Sequence, residues 1–220
     1  MSAEKRQCTG RTYLLFSVVC LLSLFIEYLI LQCEQFIYQK NYYKFTITES
    51  IVHWVLICVI WGMAGALMVY LSTRVYNFDI LRRSAKPSVA GWIAAPILIV
   101  VSVSAKYVLW DGWKIILDFH NSGWFQFIFQ YVYYLFEILI VMLAVVFAQE
   151  AGEKIFHTNR VPWGGILAAL TWGLSHIITQ GSVTIGIYYT LCSVLYGILY
   201  LAVRKNLYIS YPLLVLMFLC

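Results

Sequence analysis

Apolar runs about as long as a bilayer is thick recur along this chain, and they constrain it more than any motif does. Crossing the hydrocarbon core as a helix takes about 20 predominantly apolar residues. In lipid, only helices and closed barrels satisfy their own backbone groups. Such runs extend from Tyr13 to Leu31, Ile51 to Ser72, Trp92 to Trp110, Trp124 to Phe156, Trp163 to Ile178 and Val183 to Val203. A seventh, Leu207 to Cys220, is too short to cross comfortably. The expected fold is therefore all-α, a polytopic transmembrane bundle of six to seven helices. It forms one integral membrane domain over residues 1–220, with no internal repeat.

Composition excludes the soluble alternative. Charged residues make up 11% and hydrophobic residues 62%, where a soluble domain carries about 25% charged. Aromatic residues at 17% suit side chains that prefer the membrane interface. The net charge of +5 is no nucleic-acid signal, because the cations lie in the connections between runs. Lys5, Arg6, Arg11, Arg74, Arg82, Arg83, Lys86, Lys154, Arg160, Arg204 and Lys205 fall on one side, and Lys40, Lys44, Lys106 and Lys114 on the other. By the positive-inside rule the first side, with the N-terminus, is expected in the cytoplasm, and the plasma membrane is the expected location. The first run is too long for a signal-peptide core and lacks a small-residue cleavage site, so it reads as a retained span.

Finer features place helix contacts and breaks. Gly62-Met-Ala-Gly65 suits close helix approach. Pro96 falls in the first turns of the third span, where a missing donor is tolerated. His120-Asn-Ser-Gly123 reads as a loop within an amphipathic linker. The six cysteines show no metal or redox spacing. No cofactor or metal is expected, and the partners expected are membrane lipid and a peptide or membrane protein.

The polar residues concentrate near the end of the fourth span: Gln149-Glu-Ala-Gly-Glu-Lys154, followed in the next span by His176. Polar groups among membrane helices cost about 2.5–3.5 kcal/mol for a central charge on insertion scales, so they mark a candidate site. On a helix Glu150 and Lys154 stand four apart in the favourable order, with Glu153 near the same face. A poorly hydrated carboxylate can act as general base toward water, and an imidazole can orient that water or stabilise an oxyanion. Those parts suit amide hydrolysis. At 1.5 Å per residue, His176 is expected about 10 Å further into the membrane than Glu150. Glu27 and Glu137 are further intramembrane acids, read as paired interior groups, with Glu137 a candidate to line the same cavity.

Gln149-Glu-Ala-Gly-Glu-Lys154 with Trp172-Gly-Leu-Ser-His176 resembles the CAAX protease and bacteriocin-processing (CPBP) family of intramembrane endopeptidases. The family's first motif is Glu-Glu-x-x-x-Arg, and its second an aromatic residue followed four positions on by His. The resemblance covers about residues 144–220. It implies a multi-helix fold with a glutamate-dependent peptidase site near one membrane surface. Glu150 would match the second glutamate, Lys154 the arginine, Trp172 the aromatic and His176 the histidine. Gln149 stands where the family has its first glutamate, and the third motif, His-x-x-x-Asn or Asp, has no counterpart after His176.

The expected catalytic set is therefore Glu150, His176, Gln149, Glu153 and Lys154, with Trp172 and Glu137 lining a cytoplasm-facing cavity between spans four, five and six. The leading reading is a CPBP-like endopeptidase with a degraded catalytic set. Beside it stand a pseudoprotease that binds a membrane partner or peptide, and a small transporter component relaying protons through Glu27, Glu137 and His176.

Overall fold

The computed structural model describes residues 7–81 and 86–220. Lys5, Arg6, Arg82 and Arg83, counted above for orientation, lie outside the described residues. The helices are α1 (Gly10–Tyr38), α2 (Ile47–Tyr70), α3 (Val89–Trp110), α4 (Lys114–Phe156), α5 (Trp163–Ala168), α6 (Leu174–Thr179), α7 (Val183–Ala202) and α8 (Leu207–Leu219). A π-helical stretch, Leu71–Val75, extends α2, and another, Ala169–Gly173, joins α5 to α6 as one rod. Among the described residues, five helices are long and apolar enough to cross a membrane, and the chain is an all-α integral membrane protein.

Starts are set by side chains that accept from otherwise unpartnered N–H groups. Thr9 caps α1, Ser88 caps α3 and Ser182 caps α7. Thr46 and Glu49 close a reciprocal capping box on α2. The linker expected after Trp110 is instead helical from Lys114. The loop signal at His120–Gly123 shrinks to a single break at Gly123, whose φ of 69° and ψ of 164° interrupt α4. Glycine accepts that backbone without a Cβ penalty, so one residue does what a loop was expected to do.

The centre of the bundle is α4. Residues 140–149 are buried without interruption, and a helix apolar on every side must be enclosed. It runs antiparallel to α1, with Ser17 donating to the Ala144 carbonyl at 2.9 Å. One end of the bundle, called here the α4–α5 face, gathers the start of α1, the α4–α5 connection and the α7–α8 turn. The opposite end, the α1–α2 face, gathers the α1–α2, α3–α4 and α6–α7 connections.

Close backbone approach joins the α5–α6 rod to α7. A Cβ on Gly197 would lie 2.6 Å from the Gly165 Cα, so glycine is required on that contact. Such small-residue seams are the usual packing solution where lipid supplies no hydrophobic drive. At 13 residues, α8 is about 20 Å long and ends short of a full crossing. Its last carbonyls, Met217 and Phe218, accept from the Lys106 ammonium of α3, which is completely buried. Lys106 thereby satisfies a helix end that would otherwise leave bare acceptors among apolar side chains.

Candidate functional site

The motif-bearing residues at the α4–α5 face are held by their neighbours. Gln149 is 0% exposed. Its amide nitrogen donates to Glu153 Oε1 at 2.8 Å and to the Val161 carbonyl at 3.0 Å. Its oxygen accepts from the Gly164 N–H at 3.1 Å. Both donors and the acceptor of the amide are thus spent on stitching α4 to the turn that enters α5. Gly152 belongs to the same turn: a Cβ there would fall 2.2 Å from Trp163 Cγ. The Trp163 ring stacks on Phe156 at 4.3 Å and donates to the Thr158 carbonyl.

Lys205 reaches this cluster from the α7–α8 turn, where Arg204 and Lys205 both adopt φ of 56°. Its ammonium bonds Glu150 Oε1 at 2.8 Å and Glu153 Oε2 at 2.6 Å. Burial alone would lower the lysine's pKa, but the two carboxylates outweigh it and hold the pKa above its ordinary value. The cation expected beside Glu150, Lys154, lies instead over the Tyr13 ring of α1 at 5.7 Å. A tertiary partner has taken the place of the i, i+4 partner.

Trp172 and His176 occupy a different level. Trp172 sits in the π-helical stretch, and its indole N–H donates to Glu137 Oε1 at 3.1 Å. His176 Nδ1 is 2.7 Å from the Trp172 carbonyl of its own rod, and the imidazole stacks on Tyr189 with centroids 4.0 Å apart. Phe218 of α8 also packs against Trp172. Glu137 and Glu150 are thirteen positions apart on one helix, about 20 Å along its axis. Between them lies the fully buried stretch of α4. The structure brings Glu137 to Trp172, Gln149 to Glu153, and Glu150 and Glu153 to Lys205. It does not bring His176 to Glu150.

Three further polar residues were not singled out as a site. His53 of α2 lies between Glu34 and Glu27 of α1, with Nδ1 2.6 Å from Glu34 Oε2 and Nε2 3.6 Å from Glu27 Oε1. Tyr133 of α4 donates to Glu27 at 2.5 Å. The available signal was the spacing of Glu27 and Glu34, seven apart and so on one helical stripe, with His53 across a short connection. A lipid-facing groove of about 500 Å³, lined by Trp54, Cys58, Gly62 and Phe136 among others, runs between α2 and α4 and is almost wholly apolar.

No protein-family model matches this sequence, and neither a curated protein nor a solved structure matches it.

Proposed function

We propose that this chain is a non-hydrolysing relative of the CPBP membrane endopeptidases, which binds a membrane protein or peptide without cutting it. In this reading it resides in the plasma membrane with its N-terminus in the cytoplasm, so that the α4–α5 face is cytoplasmic. The observation that carries the proposal is the closure of the motif residues. A water-activating base needs a free lone pair within hydrogen-bond reach of the water. Gln149 cannot accept a proton and spends its amide on Glu153, Val161 and Gly164. Glu150 and Glu153 face the Lys205 ammonium, and the imidazole that would assist them lies at the level of Glu137. The residues that resemble a catalytic motif here serve as a lock between α4, the α4–α5 turn and the α7–α8 turn.

The test uses purified protein in proteoliposomes with a library of membrane-proximal peptides. The expected outcome is no cleavage by the wild-type chain, with partner co-purification unchanged in Glu150→Gln. Cleavage that Glu150→Gln and His176→Ala each abolish in folded protein would overturn the proposal in favour of a working peptidase. Proton flux into liposomes that Glu137→Gln stops would overturn it in favour of a transporter component.

A further inference from the structure

A second polar centre lies in the other half of the bundle, among α1, α2 and α4, and the lock at the α4–α5 face does not involve it. His53 is 1% exposed, and each of its ring nitrogens faces a carboxylate of α1. Nδ1 lies 2.6 Å from Glu34 and Nε2 lies 3.6 Å from Glu27. Tyr133 directs its O–H at the same Glu27 oxygen. The Tyr42 ring closes the imidazole from the α1–α2 connection at 5.9 Å. Next along α4 come Tyr134 and Glu137, the latter bonded to Trp172. Lys40, in the same connection, pairs with Glu49 at 2.7 Å. Among the described residues, no lysine or arginine forms an ion pair with Glu27 or Glu34.

The proton count follows from what an imidazole can offer. A neutral ring has one N–H and one lone pair. If it donates to Glu34, its Nε2 lone pair is turned toward the Glu27 carboxylate. If it donates to Glu27, two lone pairs meet across 2.6 Å at Glu34. With both acids ionised the neutral ring leaves two negative charges among membrane helices with no cation between them, an expensive arrangement. One further proton makes the ring a donor at both nitrogens and leaves a single net charge, which Tyr133 also serves.

We propose that Glu27, Glu34, His53 and Tyr133 form a proton-binding site that, when loaded, ties α1 to α2 and α4. The bound proton rests on the ring, with Glu34 accepting at Nδ1–H and Glu27 facing Nε2–H. When the proton leaves to the aqueous phase beyond the α1–α2 connection, the cation between the two carboxylates is lost. The α1–α2 contact at that face then weakens. The proposal stands on its own contacts and is independent of whether the chain cuts peptides.

The experiment is ¹⁵N-histidine NMR of the full chain in nanodiscs at neutral pH, with hydrogen exchange of α1 and α2 measured alongside. The expected result is a doubly protonated His53 in the wild type. In Glu34→Gln and in Glu27→Gln the ratio of doubly to singly protonated His53 should fall at least about tenfold, equivalent to about 1.4 kcal/mol of lost interaction. Exchange at the α1–α2 contact should be faster in both variants. A singly protonated His53 in the wild type overturns the proposal, and that measurement stands even if neither variant folds. An unchanged protonation state in both folded variants overturns it as well.

Discussion

Gln149→Glu would recreate the Glu-Glu pair of the resembling family, and in this fold it should be strongly destabilising. The side chain is fully buried, with its amide nitrogen 2.8 Å from Glu153 Oε1 and 3.0 Å from the Val161 carbonyl. A carboxylate has no donor for either. Losing the bond to Glu153 costs about 1.5–3 kcal/mol and the one to Val161 about 1 kcal/mol. The new charge also repels Glu153, by as much as about 4 kcal/mol at 4 Å and an effective dielectric of about 20. Lys205 offsets part of this, because it already bonds Glu153. The expected net loss is about 3–6 kcal/mol, read as an equilibrium unfolding shift in SDS titration or steric trapping. The swap Gln149→Glu with Glu153→Gln is the control. Amide and carboxylate then trade places and the Gly164 N–H keeps an acceptor, while the Val161 bond is missing and Lys205 meets an amide oxygen in place of the Glu153 carboxylate, so a part of the loss, not all of it, should return. A single variant as stable as wild type, or a swap that recovers nothing, would refute the assigned hydrogen-bond network.

Two other outcomes follow from the same packing. Gly197→Ala should cost about 1–3 kcal/mol or more, because its Cβ would meet Gly165 backbone at 2.6 Å and part α7 from the α5–α6 rod; a loss too small to measure in the same unfolding titration would mean the seam is looser than described. Lys205→Met should cost roughly 1–3 kcal/mol, since both carboxylates are only partly exposed and lose a charged donor. The raised pKa of Lys205 sets the pH dependence of that cost. Its contribution is fully present below the ordinary lysine value of 10.5 and disappears only as pH climbs past the higher folded value. The stability gap between wild type and variant should therefore hold from neutral pH upward and close only in strong alkali; a gap that closes below 10.5 would contradict the ion-pair geometry.

Much of the fold was legible because lipid makes backbone satisfaction a local matter. Each helix bonds its own peptide groups, so run length announces elements without knowledge of neighbours. The break at Gly123 was visible as a signal, although its extent was not. The candidate site was legible only as an inventory. Gln149, Glu150, Glu153 and Lys154 could be listed, yet the local rule for charges four apart favoured a Glu150–Lys154 pair. The ammonium that closes on Glu150 comes from Lys205, fifty-five positions away.

By itself, then, the sequence determined that this chain lies in a membrane as a helical bundle, which apolar runs form its helices though not their ends (α4 starts at Lys114, ten residues before Trp124), and which side chains are too polar to be there without a reason. Tertiary structure alone decided which of those side chains meet. Depth along α4 separates Glu150 from the level of Glu137, Trp172 and His176, and packing sets Lys106 under the last turn of α8. The physical reason is range: hydrogen bonding within a helix is short-range and written in consecutive residues. The pairing of buried charges instead depends on how helices tilt, cross and stop beside one another, to which distant small residues such as Gly165 and Gly197 contribute.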